Sequence, residues 1–147
     1  MLDSEKTLKS IEDIIINYSA IIIENIENKK KILVVEKNGM HWILPGGKPE
    51  INEDASHCIN RELSEELSGT LAYCFQTYNT FNGTTPTSKK PLICRAYFAY
   101  LHTELGKASK EITRKEWIGR EDIKNNHYRF SEVTRIVIDS LIKDDLI

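Results

Sequence analysis

Apolar residues change their spacing several times along this chain, and each change marks an element. The stretch SAIIIENIENKKKILVVEKNGMHWILPGG holds two β-branched runs joined by a polar turn, then a third run reached through Asn38-Gly39. Short runs bounded by turn residues read as strands, and Asn-Gly tolerates the paired positive φ angles of a tight hairpin. The pattern predicts strands over 20–26, 31–37 and 41–44. Pro45-Gly46-Gly47 stops the third strand and opens a loop whose backbone can approach a ligand closely. A helical period follows over about 53–68, with Asn52 as the expected N-cap, Glu53 and Asp54 in the first turn, and Gly69 as the stop. Next come a strand over 71–81, a loop NGTTPTSKKP whose turn residues and prolines argue against regular structure, and a strand over 92–101. The polar segment HTELGKASKEITRK leads to Trp117. A last helix over 131–143 carries Val133, Ile136, Val137 and Leu141 at helical spacing. The segment before Ser19 reads as a polar, helical lead-in. The order β, β, β, α, β, β, α implies an α/β (α+β) fold, a mixed sheet flanked by helices, without repeats, linkers or low-complexity tracts.

Length and charge narrow this picture. A chain of 147 residues suits one domain, 1–147, and 40% hydrophobic with 29% charged residues is ordinary for a soluble globular protein. The net charge of -2 announces neither a nucleic-acid nor a membrane partner. The basic runs at Lys29 to Lys31 and Lys89 to Lys90 read as solvated loop tips. Cys58, Cys74 and Cys94 form no CxxC pair and read as reduced, small core residues. The start MLDSEKTLKS lacks the basic and apolar pattern of an export signal, and the apolar region 14–23 is broken by Asn17, Tyr18 and Ser19. A cytoplasmic location is the expectation.

The chemistry concentrates in the predicted helix at 53–68. With about 100° per residue and Ala55 at zero, Ile59, Leu63 and Leu67 fall at about 40°, 80° and 120°, which marks the core side. The polar set Asn60, Ser64, His57, Ser68 and Arg61 lies between about 140° and 240°. Glu65, Glu62 and Glu66 fall near 280°, 340° and 20°, flanking the apolar stripe instead of the centre of the water face. Like charges three and four residues apart repel, more so when partly desolvated. Arg61 can neutralise one carboxylate, not three. Clustered carboxylates beside a glycine loop suit a hard divalent cation, and Mg²⁺ in particular bridges carboxylates to substrate phosphate. A solvated acidic face is the competing reading.

Gly47, five residues, Glu53, seven residues, then Arg61-Glu62-Leu63-Ser64-Glu65-Glu66 resembles the Nudix box, GX5EX7REUXEEXGU with U aliphatic. At about 6 or 7% per fixed residue, six identities at set spacings arise by chance about once in ten million starting positions. WILPGG before the box, and Glu111-Ile112 with Glu116-Trp117-Ile118 after it, resemble the usual flanks. The departure is at the end of the box, where Ser68 replaces the glycine and Gly69 the aliphatic residue. Gly69 is then the expected left-handed terminator, with Leu71 as the apolar contact.

The resemblance to the Nudix (MutT-like) hydrolases implies helices sandwiching a mixed sheet, and Mg²⁺-dependent hydrolysis of a pyrophosphate linkage in a nucleoside diphosphate derivative, Mn²⁺ being an acceptable substitute. Nucleoside di- and triphosphates, ADP-ribose and nucleotide sugars are all open as the small-molecule substrate, with a lean to a small nucleotide. It implies metal held by Glu62, Glu65 and Glu66 with a carbonyl of Gly46 or Gly47, Arg61 orienting a neighbouring glutamate, and Glu53 supporting loop and helix from behind. The general base varies in this family; Glu111 is the choice, with Glu104 and Glu116 in reserve. His41, His57, His102 and His127 show no zinc spacing. Trp42 and Trp117 read as core. The loop NGTTPTSKK and the lead-in to Tyr18 are expected to shape the pocket, and a homodimer is open. The alternative function is a catalytically weak nucleotide-sensing module on the same fold. A calcium-binding domain is disfavoured, since no DxDxDG loop occurs.

Overall fold

The structure, a computed structural model, describes residues 14–147. The predicted helical lead-in falls largely on 1–13, outside the described residues, but its last part is strand: β1 runs Ile15–Ile26. Glu27 and Asn28 both take positive φ, so a two-residue turn leads into β2, Lys29–Lys37, which pairs antiparallel with β1. Asn38 and Gly39 repeat the device, with φ of 53° and 66°, and lead into β3, His41–Ile43. A two-residue strand β4, Gly46–Gly47, returns to pair with Tyr18 and Ser19.

Helix α1 spans Ala55–Glu66. The expected cap is corrected by two residues: the Asp54 side chain accepts from His57 N, while Asn52 sits at φ 63° in the preceding turn, so Glu53 and Asp54 lie outside the helix. Gly69 takes φ 72° as expected, yet Leu71 is exposed and does not close the helix exit; Leu67 is buried instead.

Strands β5, Ala72–Thr84, and β6, Pro91–Leu101, form a long hairpin. It absorbs Asn82, Gly83 and Thr84, expected in a loop, because Glu132 accepts from Thr84 N at 3.1 Å and holds that end in the sheet. A further strand, β7, Ile112–Ile118, lies where a polar segment had been expected. Pairing with β2 overrides composition there: Ile118 and Trp117 stand opposite Ile32 and Leu33, and Arg114 makes a two-pronged bond to Glu36 at 3.1 and 3.0 Å. A short helix α2, Arg120–Asn125, and helix α3, Glu132–Lys143, complete the chain, with Ser131 capping α3 one residue before it starts.

The sheet order is β3-β2-β1-β6-β5, with β4 on β1 and β7 on β2; β1 and β6 run parallel. One core lies under α1 and joins Ala20, Ile22, Leu33, Val35, Ile59, Leu63 and Ala99. The other lies under α3 and joins Ile21, Ile32, Val34, Trp42, Ala96, Val137 and Leu141. The expected mixed sheet between helices is therefore the observed fold. Cys58 and Cys94 are buried and Cys74 half-buried, all as free thiols. Among the described residues no helix is long and apolar enough to cross a membrane.

Candidate active site

The apolar stripe of α1 fixes how deep each glutamate sits. Glu66, nearest that stripe, is 3% exposed; the Glu62 side chain is 19% exposed and that of Glu65 60%. Glu66 Oε1 accepts from Gly46 N at 3.2 Å, whereas Oε2 is buried and has no hydrogen-bond partner. Burial pushes the Glu66 carboxyl up to about 8, against the pull of the Gly46 amide.

The glycine pair is shaped to this helix. Gly46 has φ 141°, a region closed to other residues, and a Cβ there would overlap the Tyr18 carbonyl. A Cβ on Gly47 would lie 2.5 Å from the Glu62 carboxylate carbon. Both positions bring backbone up against acidic oxygens, as the sequence suggests.

Arg61 organises the remaining acids. Its Nε and Nη2 grip both oxygens of Glu53 at 2.7 and 2.8 Å, Nη1 reaches Glu62 at 2.9 Å and Glu65 at 3.4 Å, and Nη2 also donates to the Lys48 carbonyl at 3.0 Å. Glu53 in turn accepts from Glu50 N at 2.9 Å. The Arg61 hydrogen bonds hold the Glu53 carboxyl down at about 2, and Glu53 raises Arg61 reciprocally. Glu50, 3.6 Å from Arg61, is a member of this group that the box pattern does not single out; an acid three residues before Glu53 in a tight loop was its only signal.

Of the acids outside the box, Glu111 sits in the turn before β7, its side chain 63% exposed and 3.7 Å from Lys37 Nζ. Its loop is tied to the exit of α1: Ser109 N donates to the Glu66 carbonyl and Ser68 N to the Lys107 carbonyl, each at 2.9 Å. Glu111's negative charge adds to the upward push on Glu66. Glu116 lies on the α3 side of the sheet, bound to the Tyr128 hydroxyl at 2.8 Å. Glu104 lines a separate hollow with Leu105 and Trp117.

Among the described residues no three His, Cys, Asp or Glu side chains converge on one point, Arg61 standing between Glu53, Glu62 and Glu65. The donor chemistry nevertheless fits a hard divalent cation. Glu66 presents a buried oxygen without a partner, Glu62 rests against the Gly47 backbone, and every donor is oxygen.

The NUDIX domain matches residues 17–139 of the chain. No curated protein matches the sequence. Among solved structures, the NUDIX hydrolase from Nitrosomonas europaea aligns with a TM-score of 0.72 at 16% identity, over 88% of this chain and 89% of that one. The MutT protein from Methanosarcina mazei Go1 aligns with a TM-score of 0.71 at 21% identity, over 90% and 95%. The NUDIX domain of Shewanella oneidensis NrtR, complexed with ADP ribose, aligns with a TM-score of 0.69 at 14% identity over the whole of both chains.

Proposed function

The chain belongs to the Nudix family of hydrolases, and from that premise we propose that it cleaves the pyrophosphate linkage of a nucleoside diphosphate derivative with Mg²⁺ bound at Glu62, Glu65 and Glu66. The observation that carries this reading is Glu66, a buried carboxylate with one oxygen unpartnered beside a glycine backbone. Leaving such a group buried costs free energy unless a ligand completes it.

Glu62 and Glu66, with Glu65 at the rim and the Gly46-Gly47 backbone, would hold the cation. When bound it neutralises the pyrophosphate's charge and polarises phosphorus toward attack. The protein's own groups do the rest. Arg61 acts as a positioning residue, keeping Glu62 against Gly47 and fastening the loop 48–53 to α1 through Glu53. Glu111 takes the proton from the attacking water. Its exposure leaves it free to receive that water, and its loop's bonds to the helix exit keep it near the cluster.

ADP-ribose, the ligand of the Shewanella domain, heads the substrates to try. That complex also supports the reading of a sensing module, whereas the intact set Arg61, Glu62, Glu65 and Glu66 supports turnover. A panel of nucleoside di- and triphosphates, ADP-ribose and nucleotide sugars, assayed with Mg²⁺, with Mn²⁺ and with chelator, tests the proposal. Divalent-dependent release that Glu66→Gln abolishes is the expected result; turnover indifferent to chelator overturns it.

A further inference from the structure

Strands β5 and β6 carry one charged residue between them, Arg95. It is exposed and forms no ion pair among the described residues. In the sequence it is the one charged residue between Lys90 and His102. In the sheet its neighbours are Tyr18 of β1 and Thr80 of β5.

The face it occupies follows from alternation. Ala96 and Phe98 point into the α3 core, while Tyr97 and Ala99 belong with the α1 core, so Arg95 and Tyr97 share the α1 face. Helix α1 covers that face at Ala20, Ile22 and Ala99 but leaves Arg95 exposed and Tyr97, at the edge of that core, half-buried. The pairing with β6 is interrupted by a bulge between Thr77 and Asn79, and a hollow of about 410 Å³ opens there, lined by Thr77, Tyr78, Asn79, Thr80, Arg95, Ala96 and Tyr97. Tyr18 packs edge-on to Tyr97 with ring centroids 6.0 Å apart.

This hollow adjoins the carboxylate site. Tyr18 pairs with Arg95 on one side and with Gly47 on the other, and Gly47 rests on Glu62. Two strand spacings, about 10 Å, therefore separate the Arg95 backbone from the glycine. No acidic side chain lines the hollow, so nothing in it repels phosphate. The comparable hollow of about 420 Å³ at the far end of β1 differs: Glu121, Asp122 and Asp145 line it beside its lysines, Asp122 lying 3.3 Å from Lys31 and Asp145 3.0 Å from Arg120.

We propose that this hollow seats the nucleoside monophosphate half of the substrate, with Arg95 on the nucleoside-bearing phosphate, Tyr97 against the base, and Asn79 and Thr80 at its polar edge. The assignment rests on the hydrolase reading for its orientation toward Gly47. An unpaired guanidinium matches a phosphate's oxygens in pairs, and an aromatic face accepts any base.

Nucleosides and their monophosphates, titrated by calorimetry in the presence of chelator, test the hollow separately from turnover. Wild-type protein should prefer monophosphate to nucleoside by about tenfold or more, Arg95→Gln should erase that preference, and Arg95→Lys should restore part of it. Tyr97→Leu should weaken both ligands alike, and Tyr97→Phe neither. On whichever pyrophosphate substrate wild type cleaves, Arg95→Gln should raise KM about tenfold or more and leave kcat within about threefold. Hydrolysis with an unchanged KM in Arg95→Gln, or wild type that binds no monophosphate, overturns the hollow and leaves the hydrolase reading standing. Arg95-dependent binding without hydrolysis does the reverse.

Discussion

At the scale of single residues, Glu66 carries the most information. Its carboxyl titrates near 8 in the folded protein against an ordinary 4.5, so between those values the native state keeps a proton that the unfolded chain has released. The stability this provides is complete below about pH 4.5 and is lost as pH rises toward 8. Urea unfolding in chelator should show stability falling across that window, by up to about 1.4 kcal/mol per pH unit, and Glu66→Gln should flatten the fall. Added Mg²⁺ should stabilise wild type more at pH 8 than at pH 5, because binding requires the ionised carboxylate. An equal pH profile in the variant would remove Glu66 from the account. Arg61→Lys should keep the fold and lower turnover by about tenfold or more, since an ammonium cannot hold both Glu53 oxygens and Glu62 together; circular dichroism beside kcat checks this. The order of burial among the three glutamates was legible from their angles on the helix, because α1 is regular and its apolar stripe must face the sheet. The grip of Arg61 on Glu53 was not legible in the same way, since it depends on how a loop folds back.

At the scale of elements, the chain's own turn chemistry was the most readable signal. Asn38-Gly39 acts as its sequence says because it satisfies a local backbone requirement without help from distant residues. Asp54 is the instructive case, since Asn52 was an equally good cap by composition. Two residues of drift separate them, and the positive φ at Asn52 decided the matter. Asp54→Ala should therefore cost about 1 kcal/mol, seen as a melting point lower by about 2–4 °C, while Asn52→Gly should cost nothing. Strand β7 was illegible for a different reason. Its polar side chains bond to Glu36 on a neighbouring strand, and periodicity within one segment carries no record of such a partner.

At the scale of the whole molecule, the site is assembled from segments distant in sequence, and the exit of α1 is where they meet. Ser68 and Gly69 depart from the box here, and the main chain of this exit is tied to the loop that carries Glu111 through Ser68 N and the Glu66 carbonyl. Gly106 lies in that loop, packed so closely on Ser68 that a Cβ would overlap its carbonyl, and Gly106 N donates to the Thr70 hydroxyl at 2.8 Å. Gly106→Ala must push the loop away from the helix exit. If Glu111 is the base, this displacement should lower kcat by about tenfold or more while Mg²⁺ affinity, set by Glu62 and Glu66, stays near wild type. Stability should fall by about 1–3 kcal/mol, as for other overpacked contacts. Glu111→Gln should give the same kcat loss without the stability loss, and combining the two variants should add little to it. A Gly106→Ala protein with lowered melting point but unchanged kcat would show that the loop only braces the helix, and the base would then have to be sought elsewhere on the rim.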